Sequence, residues 1–309
     1  MKFHGLRFVP DDTSIPFMRM SRYGFFLSGV LCIVALLLFL AFDLNYGIDF
    51  KGGTLIEIRT AAAADLGDLR SRIGELGLGD AELQEFGGPN DVLIRLEAQA
   101  GGEQAQNEAV RQVRQALGSA VEFRRVEVVG PKVSAELTQQ GIIAVVFAII
   151  LVLIYIWFRF EWQFSIGAVA SLLHDVIITV GVLSVLRIEF NLNIIAAILT
   201  IIGYSLNDTV VVYDRIREYL RKYKKMPFAQ LIDASINSTL ARTMLTGTST
   251  LLALLSLYIF GGEVIRGFTF TMIFGVVVGT YSSIFVAAPV LILLGSVREA
   301  ASAGEKARS

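Results

Sequence analysis

The stretch GYSLNDTVVVYDRIRE, Gly203 to Glu218, closes an otherwise apolar segment and places Asn207 and Asp208 among Ile201, Ile202, Leu206 and Val210 to Val212. At about 1.5 Å per residue, a carboxylate there sits roughly 10 Å from the bilayer midplane. Putting it near the middle of a transmembrane helix costs about 2.5 to 3.5 kcal/mol on insertion scales, so a chain that carries one faces it to protein or to water. Two readings fit the position: an ion or proton site, or a residue that caps the charged stretch after it or snorkels to the interface. A second ionisable group has to decide between them.

The surroundings are those of a polytopic membrane protein. Of 309 residues, 54% are hydrophobic and only 18% charged, and several apolar runs are long enough to cross a bilayer. After a polar tail, 1–23, the run Gly24 to Phe42 is too long for a signal-peptide core and has no small-x-small cleavage pattern behind it, so it reads as an uncleaved first span. Five further spans follow at Gly141 to Phe158, Phe164 to Leu186, Phe190 to Val212, Thr243 to Phe260 and Gly267 to Leu294. The lone cysteine, Cys32, lies inside the first span, and His4 and His174 stand far apart, so the sequence offers neither an intrachain disulfide nor a metal cluster.

Lysine and arginine orient the chain. With the N-terminus in the cytoplasm, the inner segments hold Lys2, Arg7, Arg19 and Arg22, then Arg159, the cluster Arg215, Arg217, Arg221, Lys222, Lys224 and Lys225 with Arg242, and finally Arg298, Lys306 and Arg308. The short outer loops hold only Arg187 and Arg266. The consistent organisation is a cytoplasmic tail 1–23, a span 24–42, an extracytoplasmic domain 43–140, a five-helix bundle 141–296 and a cytoplasmic tail 297–309. Within the bundle, 214–225 alternates apolar Ile216, Tyr219, Leu220 and Tyr223 with basic residues, as an amphipathic helix on the cytoplasmic membrane surface would, or a plain topology anchor. One such helix is weak ground for a nucleic-acid site, and none is expected.

The outer segment alternates like strands at Gly53 to Thr60, Glu82 to Phe86, Asp91 to Glu97 and Val121 to Val129, with helical patterns at Ala63 to Leu76 and Glu103 to Leu117. The order β-α-β-β-α-β predicts a ferredoxin-like α+β domain. It holds no histidine and no cysteine, which argues for a docking or peptide-handling module over an enzyme.

Arg242 opens the fifth span, and from it Thr246, Ser249, Thr250, Ala253 and Ser256 recur at three- and four-residue steps. Asn193, Ala197, Thr200, Tyr204, Asn207 and Asp208 form a matching stripe on the fourth, which suggests two facing helices with Asp208 and Arg242 in the same half of the membrane. In the third span His174 and Asp175 read either as members of a proton chain or as a buried hydrogen-bonded pair that fixes helix rotation.

Five stretches, GIDFKGGT (Gly47 to Thr54), VGPKVSAEL (Val129 to Leu137), LHDV in the third span, GYSLNDTVVVYDRIRE in the fourth and NSTLARTMLTGTSTLLALLSLYIFGG around the fifth, together resemble the SecF family of the resistance-nodulation-division superfamily. The resemblance covers nearly the whole chain. It implies a non-enzymatic subunit without cofactor that works with SecD, the Sec channel SecYEG and a translocating preprotein, and uses the proton gradient of the bacterial inner membrane. It also carries proton coupling onto Asp208 and Arg242; the reading of the residues themselves adds Asn207 beside them and His174, Asp175, Tyr204 and Thr246 as a proton path. A proton-driven small-molecule or lipid exporter of the same superfamily, or a passive assembly subunit, are the competing expectations.

The topology has a direct test. A reporter fused after residue 100 is expected outside the cytoplasm, and reporters near residues 225 and 305 inside; a cytoplasmic residue 100 ends the six-span arrangement.

Overall fold

The computed structural model describes Pro10 and residues 13–294; the expected tail 297–309 and the first charges of the N-terminal tail lie outside the described residues. Long, mostly apolar runs leave the backbone no partner but itself, and among the described residues six helices long and apolar enough to cross a membrane result. They are α1 (Phe17–Phe42), α5 (Pro131–Arg159), α6 (Trp162–Val185), α7 (Leu192–Lys222), α8 (Phe228–Phe260) and the sixth span, Glu263–Leu294. That last span contains α9 (Arg266–Ser282), a π-helical turn Ser283–Ala287 and α10 (Ala288–Leu294). Pro289 has no N–H to give to the preceding turn, and the wider turn just before it accommodates the loss.

The helices overrun the apolar cores that predicted them. α5 starts at Pro131, whose fixed φ suits a first turn, and Gly130 before it is extended. The segment 214–225, read in the sequence as an amphipathic surface helix or a topology anchor, continues α7 without a break as far as Lys222. No glycine or proline interrupts Tyr213 to Lys222, and Ile216 is fully buried among Phe160, Leu231 and Ile232, which holds the extension to the bundle.

Burial separates an inner from an outer set of helices. Half or more of the apolar windows of α6, α7 and the sixth span are buried, against 11% for α1, α5 and α8. Close approach depends on small residues. A Cβ on Gly275 would fall 2.2 Å from Ile201, and one on Gly181 2.5 Å from Ala35, so these glycines set how near α9 comes to α7 and α6 to α1.

Between α1 and α5 the chain builds a two-layer α+β unit from β2 (Gly53–Thr60), α3 (Leu66–Gly74), β3 (Ala81–Glu85), β4 (Asp91–Leu96), α4 (Gly102–Leu117) and β5 (Val121–Val129). The sheet order is β3-β4-β2-β5, all antiparallel. Alternation puts Ile56, Ile58, Val92, Ile94 and Leu96 under α3 and α4, with Leu69, Ile73, Val113 and Leu117 completing that core. Leu55 and Leu93, on the opposite face, pack with Ile48 and Phe86 toward the membrane helices.

Two short strands stitch the unit to the bundle. β1 (Asn45–Tyr46) runs parallel to β6 (Glu189–Phe190), and the helical turn α2 (Ile48–Lys51) follows β1. Asp49 Oδ2 accepts from Leu192 N at 2.9 Å, so the GIDFKGG stretch satisfies an open N–H at the start of α7, which Asn191 also caps. Gly52 lies against Ser134 and the Val129 carbonyl, so this motif and VGPKVSAEL pack on each other.

Arg95 of β4 completes the seam, donating to Glu82 at 2.8 Å and pairing with Glu189 at 2.7 Å. Burial pushes the Glu189 carboxyl up, Arg95 pulls it part of the way down, and Asp49 and Glu127 push it up again; the net direction is upward. A carboxyl raised in the folded state contributes most when protonated and loses that contribution as pH climbs through its folded pKa. Glu189→Gln, which mimics the protonated carboxyl, is therefore expected to remove this pH dependence and to gain on wild type as pH rises. Arg95→Gln strands a largely buried carboxylate and is expected to cost about 1 to 3 kcal/mol, discounted for partial solvent access, with a loss that grows as pH rises. Thermal unfolding and protease cleavage of the full chain between pH 5 and 8 check both.

Candidate functional site

Among the described residues two carboxylates are buried inside the helix bundle, and their surroundings differ. Asp175, at the middle of α6, is 1% exposed. Its Oδ1 lies 2.9 Å from His174 Nδ1, and its Oδ2 accepts from Ser205 Oγ of α7 at 2.5 Å and from Ser282 Oγ of α9 at 2.9 Å. Ser171, one turn back on α6, donates to Ser282 at 2.9 Å, and the His174 ring stacks on Tyr281. Donors from three helices meet one carboxylate. The close approach that this needs comes from Gly279, where a Cβ would fall 2.9 Å from that of Ser205.

Asp208 sits one turn further along α7 from Ser205 and is 3% exposed. Its Oδ2 is buried without a hydrogen-bond partner, and no ion pair reaches it among the described residues. Arg242 of α8 lies near enough for its charge to act on Asp208 but does not close a contact. The guanidinium is on the exposed side of α8.

Tyr204, a turn before Asp208, carries its hydroxyl into a group of threonines, Thr246 and Thr250 of α8 and Thr280 of α9, without a well-formed hydrogen bond to any of them. Gly247 borders that space: a Cβ there would make ordinary contacts, 3.6 Å from Tyr204 Oη and 3.8 Å from Thr280 Oγ1. Thr246 and Thr280 donate their hydroxyls to carbonyls of their own helices, which leaves their lone pairs facing Tyr204.

Of the residues singled out in the sequence, Asp208, Tyr204 and Thr246 share the α7–α8 contact, and Arg242 stands at its edge. His174 and Asp175 form a separate cluster between α6, α7 and α9. Asn207 joins neither: it is exposed, because adjacent residues of a helix point about 100° apart. With Asn193 and Thr200 it makes an outward stripe at seven-residue spacing, and Arg242, Ser249 and Ser256 make another on α8. Sequence reasoning missed Ser205, Ser282 and Thr280. Their spacing from the acids is remote in the chain, and only Ser205, three residues before Asp208, carried a local signal.

Ionisable groups held inside helices long and apolar enough to cross a membrane, beneath one folded unit among the described residues, fit a multi-pass membrane protein of the transport class. Residues 109–297 match the C-terminal family of the SecD/SecF protein export membrane proteins, and residues 39–64 match the SecD/SecF GG motif, which contains Gly52 and Gly53. The chain belongs to the SecD/SecF family, and it is an auxiliary subunit of the Sec protein-export machinery. It is 42% identical to the protein translocase subunit SecF of Rickettsia rickettsii, over 95% of this chain and 96% of that one. It is 45% identical to the protein translocase subunit SecDF of Brucella abortus, over 97% of this chain but 40% of that longer protein. Its fold is similar to the crystal structure of SecDF, a translocon-associated membrane protein from Thermus thermophilus, with a TM-score of 0.83 and 34% identity over 93% of this chain and 39% of that one.

The cluster around Asp175 has the character of a lock between helices. Ser282→Ala removes one of two donors to Oδ2 and is expected to lower stability by about 0.5 to 2 kcal/mol, while Asp175→Ala takes the acceptor from His174 and Ser205, leaves Ser282 only the Gly279 carbonyl, and costs more. Asp208→Asn removes no formed contact and is expected to leave the unfolding temperature unchanged. Thermal unfolding of the three purified variants in detergent checks the order.

Proposed function

We propose that this chain works with SecD to couple the proton gradient to late movement of a preprotein through the SecYEG channel, in the bacterial cytoplasmic membrane. In this reading both termini are cytoplasmic, and the α+β unit is an extracytoplasmic domain of the ferredoxin-like kind, which its strand order β3-β4-β2-β5 supports. The single observation that carries the reading is Asp208: a buried carboxylate at membrane depth with an unpartnered oxygen, while its neighbour Asp175 is saturated.

An acid that gives up no hydrogen bond on taking a proton can change charge without dismantling the bundle. Protonation of Asp208 weakens its attraction to Arg242 and lets α8 shift against α7, with Tyr204 and Thr246 lining the contact and Asn207 facing the neighbouring subunit. A proton crossing the membrane supplies about 2.3 kcal/mol per 100 mV, enough to bias a conformational equilibrium of a few kcal/mol. No bond in the preprotein changes. The exposed stripes of α7 and α8, with the carboxamide of Asn207 among them, support a helical partner within the membrane, and SecD is the partner that the relatives' fused SecDF chains suggest.

Export in cells whose only copy is Asp208→Asn tests this. Insertion and complex abundance are expected to survive while gradient-dependent export falls; Arg242→Lys, which keeps charge but loses the planar fork, is expected to be intermediate and Arg242→Met more severe. Wild-type gradient-dependent export in both Asp208→Asn and Arg242→Met, at normal complex abundance, would identify a passive assembly subunit instead.

A further inference from the structure

At the end of the bundle away from the α+β unit, the last turn of α5 and the extended end of α7 enclose a cleft of about 420 Å³ lined by Arg159, Asp214, Arg217, Glu218, Arg221 and Lys222. Its geometry is organised. Arg159 pairs with Asp214 at 2.7 Å, Arg217 donates to the Arg159 carbonyl at 3.2 Å, and both guanidinium groups lie over the Phe160 ring, at 5.1 and 5.5 Å from its centroid. Glu218 is taken by Arg215 at 2.8 Å. The two carboxylates of the cleft are thus neutralised, and Arg217, Arg221 and Lys222 keep their charge without an acidic partner among the described residues.

The depth of the cleft is marked by its neighbours. Trp157, Phe158 and Trp162, around the turn from α5 to α6, are 78%, 89% and 56% exposed, the placement of an aromatic belt at lipid headgroup level. Below them the flank of α5 presents Leu151, Ile154 and Tyr155 outward, an apolar wall on which acyl chains can lie. A phosphate entering the cleft sideways from the bilayer would meet three uncompensated cations, one of them an arginine whose plane is already fixed by the Phe160 ring and a backbone carbonyl.

We propose that this cleft binds the headgroup of one anionic phospholipid, with Arg217, Arg221 and Lys222 on its phosphate. A topology anchor needs only charge on the right side of the membrane. Here two helices remote in sequence hold that charge around one concave space, so the expected behaviour is a countable, saturable lipid and not a diffuse halo.

The experiment uses the full chain in detergent, titrated with phosphatidylglycerol or phosphatidylcholine and read by native mass spectrometry as lipids bound per chain. Wild type is expected to retain one phosphatidylglycerol in preference to phosphatidylcholine. The variant R217Q/R221Q/K222Q is expected to lose affinity about 100-fold, at about fivefold per neutralised residue, whereas the charge-matched R19Q/R22Q/K225Q at the same end of the bundle loses less than about fivefold. The charge-keeping R221K/K222R, which leaves the positioned Arg217 in place and guards against misfolding as the cause, is expected to stay near wild type. Equal losses in the two neutralised variants would overturn the site in favour of diffuse attraction, and displacement of the lipid by millimolar inorganic phosphate would overturn the lipid in favour of a free anion.

Discussion

A carboxylate buried among apolar helices has to be met by donors or it stays uncompensated, and among the described residues this bundle holds one of each. Asp175 collects His174, Ser205 and Ser282 and so determines how α6, α7 and α9 sit on one another. That fixed register is what permits Asp208, a single turn away on α7, to be buried yet unsatisfied without the helices moving to relieve it. The glycines at Gly275 and Gly279 belong to the same arrangement, since the serine hydroxyls reach Asp175 only because the backbones approach so closely.

The seam above the bundle follows different physics. There the partners keep partial access to water, the strands are two residues long, and cohesion comes from a few directional contacts: Asp49 on the start of α7, Arg95 between Glu82 and Glu189, and Gly87 against the Glu263 side chain. Such a junction has less to lose on opening than the buried cluster does. Stiff helices below and a lightly fastened domain above are what a subunit needs if change in one is to be felt by the other.

Much of this was legible in the chain. Six spans follow from length and hydropathy, and the alternation at Gly53 to Thr60 and Val121 to Val129 coincides with β2 and β5, because a sheet with one covered face imposes period two on its residues. The continuity of α7 past the membrane was not legible: basic residues beside Tyr219 and Leu220 look the same whether they float at an interface or cap a bundle, and only the burial of Ile216 separates the two. The donors to Asp175 were hidden for another reason. Serine is common in helices that pack closely, and nothing local distinguishes Ser282, 107 positions from Asp175, from a residue that merely fills space.

The pairing of β1 with β6 has a mechanical meaning. The residues that leave α1 and those that enter α7 share one small patch of sheet, and Asp49 grips the first turn of α7 directly. α7 is then a rod clamped at its outer end, with Asp208 about 24 Å down its length at 1.5 Å per residue. A tilt of about 10° at the clamp would sweep Asp208 sideways by roughly 4 Å, on the scale of an ion-pair contact made or broken. Force applied to the domain and charge placed on the carboxylate would thus act on the two ends of one lever.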